Sequence, residues 1–98
     1  MKIMIDGVFY TKEKIDFKKI LEEIVKILGE DVVVRSLEFP EVGMIVGDTY
    51  YYRCGFCLDK EIEYKPEERE LKEIEEKIKR LFPRDTIVYT LKCELYQE

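Results

Sequence analysis

The chain has no histidine and no tryptophan. Its 98 residues also include no alanine or asparagine, one serine (Ser36) and one glutamine (Gln97). Without histidine, Ser-His-Asp triads and imidazole acid–base catalysis are excluded for this chain. A structural zinc, which wants four ligands, would have to draw on thiols and carboxylates. Few amides beside abundant Lys and Glu is the compositional bias of hyperthermophiles. No Walker loop, G-x-G-x-x-G or EF-hand spacing occurs. No apolar run reaches the ~18–20 residues that cross a bilayer. Asp6 interrupts the N-terminus too early for the apolar core of a signal peptide, so a cytoplasmic protein without a membrane partner is expected. Three cysteines, an odd number, rule out a closed disulfide framework.

What is present is charge and aliphatic side chains. The chain is 46% hydrophobic and 40% charged, with a net charge of −5. That balance belongs to a folded domain rather than a disordered one, and the length suits a single domain over residues 1–98. Lys and Glu alternate, so no stretch gathers the basic footprint of a phosphate binder. Nucleic acid is therefore not the expected partner.

The periodicity switches along the chain. Residues 2–10 alternate around Ile3, Ile5 and Phe9 and read as a strand. Phe17, Ile20, Leu21, Ile24, Val25 and Leu28 recur at helical spacing, with Asp16 as N-cap and Gly29 just past the end. Thr11 is a rival cap. Residues 31–39 and 42–46 read as strand, interrupted by Pro40. Gly47-Asp48 between strand-forming runs marks a two-residue hairpin. A turn there predicts a long bent hairpin of 31–46 with 49–64. In that register Val46 faces Thr49, Met44 faces Tyr51, Phe39 faces Phe56, Leu37 faces Leu58 and Val33 faces Ile62. Beyond Pro66, Leu71, Ile74, Ile78 and Leu81 form a helical stripe, with acids at its start and bases at its end to suit the macrodipole. The acid-first pairs Glu68-Lys72, Glu73-Lys77, Glu75-Lys79 and Glu76-Arg80 add i,i+4 support, and Pro83 ends the helix. Residues 86–96 are a last strand, with Ile87, Tyr89, Leu91, Cys93 and Leu95 as its apolar face. The order β-α-β-β-α-β predicts an α+β, ferredoxin-like two-layer sandwich with both helices on one face.

Cys54-Gly55-Phe56-Cys57 is the motif with most chemical promise. C-x-x-C spacing allows two thiols to share a metal, here half of a zinc site, or a disulfide. Cys93 is the available third thiol. The motif lies within a predicted strand, where residues three apart point to opposite faces and stand about 10 Å apart. The thiols can therefore meet only if the backbone breaks at Gly55. An unbroken strand leaves Cys54 and Cys93 as small core hydrophobes and Cys57 facing out.

Tyr50-Tyr51-Tyr52-Arg53 offers aromatic faces for stacking, or simply strand-forming residues. Ile3-Met4-Ile5-Asp6-Gly7-Val8 and Arg53-Cys54-Gly55-Phe56-Cys57-Leu58 resemble, in outline, the first- and third-strand motifs of the RNA-recognition motif. That resemblance implies bases stacked on the two central strands. Met4 departs from it, standing where the family has an aromatic. Asp6, Asp48 and Asp59 are carboxylates near strands or turns, and they read as solvated surface. The face turned away from the helices is predicted to carry Met4, Val8, Tyr10, Val88 and Tyr96, with Val32 and Val34 from the hairpin. An apolar patch of that size marks an interaction surface, most simply a symmetric homodimer contact. The hairpin around Gly47-Asp48 is expected to reach towards a second subunit. The functional expectation is a non-catalytic interaction protein without a cofactor, the alternatives being a Cys54/Cys57 thiol site that binds zinc or exchanges disulfides and, second, RNA or nucleotide binding on the sheet face.

Overall fold

The computed structural model describes residues 1–39 and 43–97. The bend expected at Pro40 and the strand start at Val42 lie outside them. The fold is α+β, with five antiparallel strands and two helices: β1 (Lys2–Thr11), α1 (Phe17–Leu28), β2 (Val32–Glu38), β3 (Met44–Val46), β4 (Thr49–Glu61), α2 (Glu68–Lys79) and β5 (Ile87–Tyr96). The sheet runs β2-β4-β1-β5, and β3 pairs with the far end of β4.

β1 alternates as its sequence does: Ile3, Ile5, Gly7, Phe9 and Thr11 are buried, and their neighbours are not. The buried set faces the helices. α1 starts where the Asp16 carboxylate accepts a hydrogen bond from the Lys18 amide at 3.1 Å, and it ends where the Gly29 amide donates to the Val25 carbonyl at 2.7 Å. Its buried stripe is Phe17, Ile20 and Ile24. α2 has no side-chain cap at Glu67, and relies on packing of Leu71, Ile74 and Ile78. Its ion pairs differ from the expected i,i+4 set: Arg69–Glu73 spans four residues, but Lys72–Glu75 and Lys79–Glu76 span three. At the centre of the core the Phe9 ring stacks on Phe82 at 3.9 Å between centroids, and on Phe56 at 5.7 Å.

Both sheet edges depart from simple alternation. The expected pairs Met44–Tyr51 and Val46–Thr49 are present beside the turn. Further along, the pairing of β2 on β4 has slipped. Leu37 faces Phe56 rather than Leu58, and an irregularity between Val34 and Ser36 adds one residue more, so that Val34 faces Leu58 and Val33 faces Asp59. β5 carries a second irregularity opposite Val8 and Phe9, which sets Thr90 against Val8 but Val88 against Phe9. Tyr89 is the extra residue. It is largely exposed rather than part of the helix-side face, and its ring meets Tyr10 edge-on at 6.3 Å. At the outer edge of β5, α2 covers one amide, where the Glu75 carboxylate accepts from the Cys93 amide at 3.1 Å. Such cover prevents unwanted strand pairing.

β4 is unusually long. Its 13 residues at ~3.3 Å each span about 43 Å, close to the molecule's longest dimension of 47 Å. Each helix has 12 residues, or about 18 Å at 1.5 Å per residue. The helices therefore cover only part of the sheet. Pairing with β1 stops at Tyr52, and beyond it β3 and the start of β4 form a two-stranded arm. Gly47, with φ 62°, takes the first central position of its turn, as a type II′ hairpin requires. At the base of the arm the Gly43 amide donates to the Tyr50 hydroxyl at 2.7 Å. A side chain on Gly43 would run into the Tyr51 carbonyl oxygen.

Candidate functional site

β4 is unbroken through the C-x-x-C motif, and each of the motif's four residues pairs with β1. Cys54 lies opposite Phe9 and is buried under the helices, whereas Cys57 lies opposite Asp6 on the open face. The extended backbone at Gly55 therefore keeps the two thiols on opposite sides of the sheet. A shared zinc or disulfide between Cys54 and Cys57 does not fit this geometry. Cys93 sits on the helix side, opposite Ile5. All three cysteines are free, and no cluster of three or more thiols and carboxylates suited to a metal occurs among the described residues. Burial pushes the Cys54 and Cys93 thiols up to about 12. Cys57 is pushed up to about 11, by burial first and then by the hydrogen bond it donates to Asp6. Thiols held protonated in this way are poor nucleophiles and poor metal ligands.

On the open face Cys57 borders a shallow groove of about 160 Å³ with Asp6, Val8, Ser36, Glu38 and Thr90. Beside it the Asp59 carboxylate lies 3.4 Å from the Arg35 guanidinium and 3.6 Å from the Lys2 ammonium. Asp59 is buried, and its Oδ1 has no hydrogen-bond donor among the described residues. Arg53 reaches Glu38 at 3.9 Å. The centre of this face is therefore a lattice of ions around a protonated thiol. Asp6, Gly55, Cys57 and Asp59 face outward from the two central strands, while Phe56 points under the helices. The stacking platform implied by the RNA-recognition resemblance has no aromatic at its centre. Asp48 stands apart at the β3–β4 turn, so Asp6, Asp48 and Asp59 do not form one carboxylate site.

The expected apolar patch is divided. Met4, Val8, Tyr10 and Tyr96 do lie on the open face, with Lys2 over the Tyr96 ring at 5.6 Å. Val32, Val34 and Val88 do not. Their partners Lys60, Leu58 and Phe9 set them on the helix side, and Val32 packs against the core. An odd slip in register exchanges the two faces of a strand, and the irregularities in β2 and β5 have that effect here.

A different surface is more apolar. Phe39, Ile45, Val46 and Tyr50 are exposed at the arm end of the molecule. Residues 43–52 carry a single charged side chain, Asp48, in a chain that is 40% charged. At the arm's base, on the helix side, a cavity of about 530 Å³ is lined by Thr11, Lys14, Ile15, Phe39, Tyr52 and Cys54, and is bordered by Arg53. The Lys14 ammonium sits 5.7 Å from the Tyr52 ring. Alternation in residues 44–51 signalled a hairpin, but nothing in it signalled that the helices would stop short of the arm.

The chain is 50% identical over 95 residues to the uncharacterized protein MJ0639 of Methanocaldococcus jannaschii, an overlap of 97% of this chain and 86% of that protein. It belongs to the MJ0639 family. No family model matches the sequence. Among solved structures, part of the full extracellular region of zebrafish Gpr126/Adgrg6 is similar over 96% of this chain and 13% of that one, with a TM-score of 0.55 and 12% identity. At that identity the likeness is one of fold alone. No helix among the described residues is long and apolar enough to cross a membrane.

Proposed function

We propose that this protein works by binding rather than by catalysis, and that its working form is a homodimer in the cytoplasm. The strand order β2-β4-β1-β5 with both helices against one face supports reading the scaffold as a ferredoxin-like sandwich. Such a scaffold hosts many unrelated activities, so the assignment of function rests on surface chemistry. Against catalysis stand the absence of histidine, three thiols held protonated, and the engagement of the buried Asp59 carboxylate with Arg35 and Lys2. The Lys- and Glu-rich composition, together with a relative in M. jannaschii, supports a thermophilic setting.

The observation that carries the reading is the arm: an exposed, nearly uncharged projection on an otherwise highly charged protein. Contiguous apolar surface of this kind is characteristic of interaction sites. A two-stranded ribbon is also marginal on its own and gains from being packed. Size-exclusion chromatography with light scattering tests the reading. The expected mass is twice the 11.8 kDa of the chain, and a single-chain mass at every concentration would overturn it.

A further inference from the structure

We infer that the arm itself is the dimer contact, each copy laying its arm over the cavity at the base of its partner's arm; this rests on the homodimer reading above. The register sets Ile45 opposite Tyr50. Two residues on, Tyr52 lies opposite Thr11, which is on the helix side of the sheet. Ile45, Tyr50 and Tyr52 therefore line one side of the ribbon, the side that α1 and α2 cover further along. The helical layer ends at Phe17, whose ring lies 5.1 Å from Phe56. Beyond that point no helix covers the sheet among the described residues. Its uncovered side runs from the cavity walls of Ile15, Phe39 and Tyr52 to the tip at Ile45, which is 72% exposed.

A second copy is the occupant this surface fits. Two like chains of charge −5 repel over most of their surface, but the arm carries only Asp48. Arg53 also borders the cavity, yet its register opposite Tyr10 and its approach to Glu38 turn its guanidinium to the open face. Lys14 is left as the cation on the helix-side wall. A two-fold axis between antiparallel arms brings each tip to the other's base, so Asp48 approaches the partner's Lys14 and Ile45 enters the partner's cavity. The contact is isologous and closes at two copies. Each apolar side without a layer becomes the layer for the other.

The test has two parts. Ile45→Lys alters an exposed position, so circular dichroism should be unchanged. By symmetry the loss counts twice, so the dimer dissociation constant should rise by about a hundredfold or more. In the second part, chains carrying Asp48→Cys are mixed with chains carrying Lys14→Cys, both in a Cys57→Ser background, and oxidised in air. The expected product is a covalent heterodimer joining the two chain types, because a disulfide needs Cα atoms within about 7 Å. A dimer that survives Ile45→Lys, or cysteine variants that remain dimeric on mixing yet give no mixed disulfide, would refute the arm contact and leave the homodimer reading standing. A wild-type monomer removes both.

Discussion

Replacing Gly7 with alanine would place a methyl group inside the aromatic stack of the core. A Cβ on Gly7 would lie 2.6 and 2.9 Å from two Phe56 ring atoms and 2.8 Å from one of Phe9, distances that real Cβ atoms do not adopt. The rings cannot swing clear. Phe9, Phe56 and Phe82 lie within 8° of parallel to one another, and all are buried. Phe56 is held on its other side by Phe17. Overpacking a filled core costs about 1–3 kcal/mol. Restricting the unfolded chain at a glycine returns about 0.4–1 kcal/mol. The net expectation is a loss of roughly 0.5–2 kcal/mol, from a total of about 5–15 kcal/mol for a domain. Guanidinium unfolding followed by circular dichroism, at one fixed protein concentration, should show a lower midpoint at an unchanged slope. The cause is tested by Phe56→Leu, which removes the ring atoms in the way. In the double variant the methyl group should cost less than in the single one, with a coupling of about 0.5 kcal/mol or more. A Gly7→Ala protein as stable as the wild type, or strictly additive losses, would refute the reasoning.

With a thiol reagent near neutral pH, Cys57 should react slowly and Cys54 and Cys93 not at all until the protein is unfolded; rapid modification of Cys54 would contradict its burial. The raised thiols also set a pH dependence. The unfolded thiols lose their protons near 9, while the folded ones hold theirs to about 11 or 12. The native state thus binds more protons in that interval, and stability should be full below pH 9 and fall progressively above it. Replacing Cys54 and Cys93 with valine should flatten that fall in a series of unfolding midpoints, and an unchanged slope would refute the assignment. Asp16→Ala, which removes the α1 cap, should cost about 0.5–2 kcal/mol in the same assay, and a neutral effect would place the start of α1 under other control. Glu75→Ala should expose the Cys93 amide on the β5 edge, seen as faster hydrogen exchange at that residue than in the wild type.

Local signals were legible wherever the physics is local. The switch from alternation to helical spacing located α1 and α2, because burying one face of a helix requires apolar residues three and four apart. Asp16 and Gly29 marked the ends of α1, because unpaired amides and carbonyls there need partners. Gly47-Asp48 marked the hairpin, because its turn requires a positive φ that glycine adopts freely. The extended strand that separates Cys54 from Cys57 was legible as the condition on which the motif depended. Strand faces at the edges were not. Val32, Val34 and Val88 were assigned by counting in twos, and one unpaired residue inverts such a count without changing the composition around it.

The amino-acid order alone thus determined the α+β class, the limits of α1, the arm's turn and the exclusion of imidazole chemistry. Each of these follows from residue type or from contacts a few positions apart. The tertiary structure decided which sheet face each edge residue occupies, how far the helices reach along β4, and hence where apolar surface is left uncovered. Those outcomes depend on pairing between strands distant in sequence and on the mismatch between about 3.3 Å per strand residue and 1.5 Å per helix residue, a difference that becomes visible only when the layers are laid against one another.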